Sequence, residues 1–317
     1  MAPDAETELL ARGETVQQNI LVVKLGALGN ILLSVAAFAA IRQHHADARI
    51  SVLTSAAYAG WLGTFPYFDE VLIDPRPRLW DLPALQRLGR ILTDGHFSRV
   101  YDLQTSTRSS RYFHLFPVKR RPEWSGIAFG CALPDREPRR NVLHDTERQQ
   151  GQLRQAGITA FPPADLSWCR GNAARFNLPA DFALLVPGSS PDRPAKRWPA
   201  AHYQTLAEQL ADRGISTVMI GGKAEQELAA HIPAAVNLVG QTDFGDLADL
   251  ARAARFAVGN DTGPMHLIAT AGCATVTLFS DDSNPSQCAP RGRWTRILQR
   301  PDLADLPVEA VLEVLPL

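Results

Sequence analysis

Asp261, Thr262 and Gly263 stand in a row inside Val258-Gly-Asn-Asp-Thr-Gly-Pro-Met-His266, after a short apolar run at 256–258 and before an apolar stretch. Pro264 suits the first turn of a helix, where a missing N–H is no loss. The free amides of that turn, with the helix dipole, make a local site for an anion such as a diphosphate. The plainer alternative is that Asp261 or Thr262 only caps the helix. Three more loops invite the same question. Lys24-Leu-Gly-Ala-Leu-Gly-Asn30 has glycines, Gly29 among them, that allow a backbone to approach a ligand closely. It is no Walker loop, and Asn30 stands where a helix N-cap belongs, so it is a cap or a polar group of the site. In Val186-Pro-Gly-Ser-Ser-Pro-Asp-Arg-Pro-Ala-Lys-Arg-Trp-Pro199, Ser189 and Ser190 offer N–H and hydroxyl donors and Lys196 a point charge for a phosphate. A solvated Lys-Arg pair ahead of a helix is the competing reading. In Ile220-Gly-Gly-Lys-Ala-Glu225, Glu225 either accepts from ribose hydroxyls or is a first-turn acid favoured by the dipole.

These loops need strands to end on and helices to begin. Apolar runs at 20–23, 50–54, 70–73 and 100–103 alternate with helical patterns near 31–43, 56–64 and 83–94. After a helix at 146–156 and a Pro-rich passage the pattern restarts. Strands at 182–186, 217–220, 236–238, 256–258 and 275–279 alternate with helices at 200–213, 224–232, 246–253 and 264–271, and a terminal helix covers 308–315. The alternation predicts an α/β protein with two Rossmann-like halves, each a mostly parallel sheet wrapped by helices. Ligands of such sheets bind beyond the carboxyl ends of the strands, which places the expected site in a cleft between the halves.

The 317 residues suit two domains of about 150 each. An apolar fraction of 45% with 21% charged residues is that of a folded globular chain. A net charge of −1 argues against a general nucleic-acid binder. Between Arg76 and Arg148, however, 14 Arg or Lys face 8 Asp or Glu, including Arg108, Arg111 and the run Lys119-Arg120-Arg121. That skew is either a solvated face or a surface for an anionic acceptor or lipid head groups. The four cysteines are dispersed without zinc spacing, which predicts a reduced, cytoplasmic protein with no structural metal. Residues 1–18 are polar and slightly acidic and read as a flexible tail. The apolar stretch 20–41 is divided by Lys24, Gly26, Gly29 and Asn30 into strand, turn and helix, so no transmembrane helix is expected.

In this order and spacing, Lys-Leu-Gly-Ala-Leu-Gly, Val-Pro-Gly-Ser-Ser…Ala-Lys-Arg-Trp-Pro, Gly-Gly-x-x-Glu and Gly-Asn-Asp-Thr-Gly-Pro-Met-His resemble glycosyltransferase family 9, the ADP-heptose:lipopolysaccharide heptosyltransferases, across roughly 20–300. The resemblance implies a GT-B fold, two Rossmann-like domains with parallel sheets facing across a cleft. We divide it as a tail at 1–18, an acceptor domain at 19–170, a nucleotide-sugar domain at 171–302 and a C-terminal helix at 303–317. Carried over by position, Lys196 meets the donor phosphates and Glu225 the ribose. Asp261, Thr262 and Gly263 line the diphosphate and sugar, with His266 nearby. The implied reaction is inverting and independent of metal or cofactor, with an ADP-sugar as donor substrate. The acceptor is a lipopolysaccharide core or another anionic glycolipid or glycan; Arg108, Arg111 and the 119–121 run are candidates for meeting it or the membrane surface. Such an acceptor needs only peripheral contact with the inner face of the cytoplasmic membrane.

One position departs from the family. Its first loop usually ends Gly-Asp, and that aspartate is the expected general base; here the residue is Asn30. A carboxamide orients a hydroxyl but does not take its proton. Another acid, such as Asp102, serves as base, or the protein binds a nucleotide sugar without transferring it efficiently, or the asparagine is an inactivating substitution. Asp102 is equally readable as a strand-end loop acid. A nicotinamide-dependent Rossmann enzyme is disfavoured, because no Gly-x-Gly-x-x-Gly follows the first strand.

Overall fold

The computed structural model describes residues 17–317 except Leu79, Pro191 and Ala234, so the tail expected at 1–18 falls almost wholly outside the described residues. The first sheet is built from β1 (Asn19–Val23), β2 (Arg49–Ser55), β3 (Glu70–Asp74), β4 (Arg99–Asp102), β5 (Glu123–Gly126) and β6 (Leu133–Pro134), in the order β3-β2-β1-β4-β5-β6. The second uses β7 (Phe182–Val186), β8 (Ser216–Met219), β9 (Val236–Asn237), β10 (Ala257–Asn260), β11 (Thr275–Phe279) and β12 (Thr295–Gln299), in the order β12-β11-β10-β7-β8-β9. Every described pairing is parallel, and within its half each sheet has the same Rossmann order. The fold is the expected GT-B type of α/β protein. Central strands such as Phe-Ala-Leu-Leu-Val of β7 are buried at every residue, as parallel strands covered on both faces must be.

Two compact units emerge from the contacts. The first holds residues 17–26, 37–137 and 149–162; the second holds 27–36, 138–148 and 163–317. Where the expected domains were continuous stretches, two short segments of the N-terminal half pack with the C-terminal sheet. The first unit's core gathers Leu21, Val23, Leu88, Leu92, Phe113 and Trp124. The second gathers Leu185, Trp198, Tyr203, Phe256, Val276 and Leu278.

The helix expected at 31–43 is two helices, α1 (Leu28–Leu32) and α2 (Val35–His44). Ser34 explains the break. Its hydroxyl donates to the Asn30 carbonyl at 2.7 Å, while its amide turns to Ile31 at 3.0 Å, so the four-residue ladder is lost there. Ahead of α1 the chain turns at Gly26, whose φ of +128° favours glycine and where a Cβ would lie 2.7 Å from the Tyr58 ring. Helices α3 (Ala56–Leu62) and α4 (Leu82–Asp94) follow as expected. Asp81 caps α4 by accepting from Ala84 N, and its inner stripe is Ala84, Leu88 and Leu92. Helix α5 (Thr107–Tyr112) was not foreseen, since its Thr-Arg-Ser-Ser-Arg-Tyr sequence has no apolar period; a Ser106/Ser109 capping box starts it. Helix α6 (Asp145–Gln155) leads into the second half, which carries α7 (Ala200–Ala211), α8 (Gln226–Ala229), α9 (Phe244–Ala253), α10 (Gly263–Thr270), α11 (Pro285–Cys288) and α12 (Val308–Glu313). None of the described helices is long and apolar enough to cross a membrane.

Candidate functional site

In the second unit β7 and β10 are neighbours at the point where the strand order reverses, and the loops leaving their carboxyl ends meet. Asn260 joins them. It is fully buried, and its Oδ1 accepts from Trp198 N and from the Tyr203 hydroxyl, both at 3.0 Å. Its Nδ2 donates to the Pro187 carbonyl at 2.7 Å. A buried carboxamide so occupied fixes the 187–198 loop to the end of β10.

That clamp brings Lys196 to Asp261. Lys196 Nζ donates to Asp261 Oδ2 at 2.5 Å, and the Ser283 hydroxyl donates to the same oxygen at 2.7 Å. Both partners of the ion pair are about nine-tenths buried. The solvated reading of Lys196 is thereby overturned. The capping reading of Asp261 falls too: Thr262 is the N-cap of α10, with φ −154° and no side-chain capping bond, while the Asp261 carboxylate is taken by Lys196 and Ser283. The first amides of α10 are left free of side-chain acceptors, with Pro264 in its first turn.

Glu225 closes another edge of this region. A Cβ at Gly188 would lie 2.7 Å from Glu225 Cγ, and one at Gly222 would lie 3.2 Å from its Oε2. The acid therefore lies directly over the Val-Pro-Gly-Ser-Ser backbone, which needs a glycine beneath it. Ser189 is buried; its hydroxyl donates to the Arg193 carbonyl at 3.1 Å and accepts from Arg197 Nε at 3.0 Å. Its hydroxyl shapes the loop, and Ser190 is exposed beside it.

Helix α1 packs on α10. A Cβ at Gly29 would be 2.8 Å from His266 Cδ2, and one at Gly263 would be 2.8 Å from Leu28 Cβ. Gly29 and His266 thus meet across two glycine-thinned faces. Burial lowers the His266 pKa from 6.5 to about 4, with Asp261 pulling the other way, so the ring is neutral at ordinary pH. Asn30 is the third residue of α1, and Ala27 precedes the helix without a side-chain cap, so the capping reading of Asn30 is corrected. The half-buried carboxamide belongs to the unit that holds Lys196, Asp261 and His266.

Asp102 behaves differently. It is fully buried at the end of β4 in the first unit, and its Oδ1 accepts from the amides of Gln104 (3.1 Å) and Thr105 (2.9 Å). Thr105 has a φ of +42°, a left-handed turn that this carboxylate holds in place. Burial raises its pKa to about 6, against the loop amides, Ser109 and Lys24. The geometry is that of a loop acid rather than a base offered to a substrate.

The five basic candidates separate within the first unit. Arg108 and Arg111 line a cavity of about 420 Å³ together with Arg78 and Trp80, and Arg108 Nη1 donates to the Pro77 carbonyl at 3.1 Å. Lys119 and Arg120 are exposed on a short turn away from that lining, and Arg121 lies 4.7 Å over the Phe113 ring. Sequence reasoning passed over Arg78, Trp80, Ser283 and the clamping role of Asn260. Only Asn260 had a local signal, its place inside Gly-Asn-Asp-Thr-Gly. Among the described residues no group of three or more His, Cys, Asp or Glu is placed to hold a metal ion.

The sequence profile of "Glycosyltransferase family 9 (heptosyltransferase)" matches residues 131–306, more than half of the chain. The chain belongs to this family. It is a heptosyltransferase-like glycosyltransferase. The family 9 chain is 25% identical to lipopolysaccharide heptosyltransferase 2 of Escherichia coli K12 over 316 residues, covering 88% of this chain and 87% of that one. In fold it is similar to the solved E. coli ADP-heptose lps heptosyltransferase II, with a TM-score of 0.76, 23% identity and 93% and 97% of the two chains covered. The family 9 glycosyl transferase of Veillonella parvula superposes with a TM-score of 0.79 at 19% identity, over 93% and 95%. E. coli heptosyltransferase WaaC, solved with ADP, gives 0.70 at 19% identity, over 93% and 98%. Membership of this glycosyltransferase family disposes of the nicotinamide reading.

Proposed function

We propose that this glycosyltransferase moves a heptose or similar sugar from an ADP-linked donor to a lipopolysaccharide core or related surface glycan, with inversion and without a metal ion. The observation that carries this reading is the buried Lys196–Asp261 pair at the strand-order reversal, 2.5 Å between its charged atoms, beside the uncapped start of α10. An acceptor hydroxyl attacks the anomeric carbon in line, its proton is taken up by a base, and the bond to the diphosphate breaks with its electron pair leaving on the phosphate oxygen. A single displacement inverts the anomeric centre. Lys196 and the amides of Thr262 and Gly263 meet the growing negative charge. Glu225 accepts from the ribose, Asp261 from sugar hydroxyls, and Arg108 and Arg111 hold the anionic acceptor. The E. coli relatives named above carry lipopolysaccharide and ADP-heptose in their names, and WaaC was solved with ADP, which supports the choice of donor and acceptor. A lipid-linked acceptor is met by peripheral contact at the inner face of the cytoplasmic membrane.

Thermal unfolding with ADP-, GDP- and UDP-sugars and NAD tests the donor, because binding to the folded state raises its stability. ADP-heptose raises the midpoint most, and mass spectrometry then finds one heptose added to a lipopolysaccharide core acceptor with release of ADP. A larger shift with another nucleotide, or with NAD, overturns the reading.

A further inference from the structure

Helix α1 reads Leu-Gly-Asn-Ile-Leu and offers no carboxylate, yet the transfer reaction needs a proton acceptor. The segment 138–148 packs into the second unit and brings one. Gln287 Nε2 donates to the Asn141 carbonyl at 2.8 Å, and Arg291 Nη2 donates to Glu147 at 2.8 Å. His144 is held from both sides: its Nε2–H donates to the Ala289 carbonyl at 2.9 Å, and its Nδ1 accepts from Thr146 N at 3.3 Å. The Thr146 hydroxyl donates to the Leu33 carbonyl at 3.4 Å, which ties the start of α6 to the end of α1, one turn beyond Asn30.

Asp145 sits between these anchors. It is nine-tenths buried, and Arg148 occupies its Oδ1 only. Its charge is felt at His266 and Cys288, as are those of Asp261 and Lys196, so these groups share one neighbourhood. His266, whose ring lies against Gly29, leaves Nδ1 buried with no hydrogen-bond partner. A polar atom stranded there marks a spot that a hydroxylated ligand would complete.

Resting on the transfer reaction proposed above, we infer that Asp145 supplies the carboxylate that Asn30 lacks. Asn30 orients the acceptor hydroxyl through its carboxamide. As the new glycosidic C–O bond forms and the bond to the diphosphate breaks, the hydroxyl proton passes to Asp145 Oδ2, and from there to water after product release. Arg148 anchors the carboxylate through Oδ1.

The test uses the full chain with ADP-heptose and a core acceptor. Asp145→Asn lowers kcat by about 10²–10⁴-fold, while the protein still unfolds cooperatively and its Kd for ADP stays within twofold of the parent. Adding Asn30→Asp to Asp145→Asn restores at least a tenth of the parental kcat, a rescue that a merely structural role for Asp145 would not produce. Asn30→Asp alone raises kcat by less than about tenfold, because a base is already at work. Asp145→Ser, which keeps a helix-starting side chain, repeats the measurement if the asparagine variant folds poorly. The inference is overturned if Asp145→Asn and Asp145→Ser transfer normally, if Asn30→Asp fails to rescue a variant that binds ADP normally, or if Asn30→Asp alone gains a hundredfold or more. Parent protein that binds ADP but transfers nothing also overturns it, whereas parent protein that does not bind ADP overturns the functional reading instead.

Discussion

Replacing Lys196 by Met separates the two tasks assigned to the Lys196–Asp261 pair. The methionine fills the space of the lysine stem and removes the charge that meets Asp261 at 2.5 Å. Breaking a buried pair from one side costs about 3–5 kcal/mol, mostly for the charge left behind. Here the side chains retain 11% and 8% exposure, and Ser283 still donates to Asp261 Oδ2 at 2.7 Å, so the expected loss lies at the lower edge, about 3 kcal/mol. For the donor, losing one charge-assisted bond to phosphate removes about 1.5–3 kcal/mol, a rise in the Kd for ADP of roughly 10–150-fold. Urea unfolding measures the first quantity and titration calorimetry with ADP the second. The double variant Lys196→Met/Asp261→Asn removes the stranded charge. It regains most of the stability, to within about 1 kcal/mol of the parent, but none of the affinity. An unchanged Kd for ADP in Lys196→Met, alongside the expected loss of stability, would refute a phosphate role and leave the pair a structural one.

Three further outcomes follow from the same geometry. Gly188→Ala drives a methyl into Glu225 Cγ, 2.7 Å away, so the Kd for ADP rises about tenfold by calorimetry while stability falls by roughly 1 kcal/mol. His266 has a folded pKa of about 4 against 6.5 unfolded, so the unfolded chain takes up the proton first and stability is lost as pH falls from 6.5 towards 4. His266→Gln flattens that limb of a stability–pH curve by up to roughly 3 kcal/mol, at about 1.4 kcal/mol per unit of pKa; an unaltered limb would show that the histidine is not desolvated. Asp102 has the opposite sign. Its folded pKa of about 6 lies above 3.8, so its contribution is present at low pH and is lost as pH rises through about 4 to 6. Asp102→Asn keeps an oxygen for the 104 and 105 amides, gains stability relative to the parent above pH 6 and retains transfer; a hundredfold loss of kcat with intact ADP binding would return Asp102 to the reaction.

The central strands were readable because a parallel strand covered on both faces is mostly apolar, as in Phe-Ala-Leu-Leu-Val of Phe182–Val186. The outer strands β6 and β12 were not, being only partly buried and without a clear apolar period. The strand-end loops announced themselves through glycine and proline at strand-to-helix junctions. What they would touch did not. Lys196 and Asp261 are 65 residues apart, and His144 and Ala289 are 145 apart, distances over which a local pattern carries no information. Ser283 gave no cue beyond being a serine in a polar loop. The break between α1 and α2 depended on one hydroxyl competing for one carbonyl, which apolar periodicity does not register.

The exchange of short segments between the units bears on any attempt to dissect the chain. A fragment cut at the expected joint and starting at residue 171 would lack both 27–36 and 138–148. Helix α10 would then lose the cover that Leu28 and Gly29 lay over Gly263 and His266, and the 287–291 stretch would lose its partners at Asn141, His144 and Glu147. The C-terminal half is therefore not separable as a contiguous piece of polypeptide. An autonomous version requires both 27–36 and 138–148 to be supplied in trans or spliced back on.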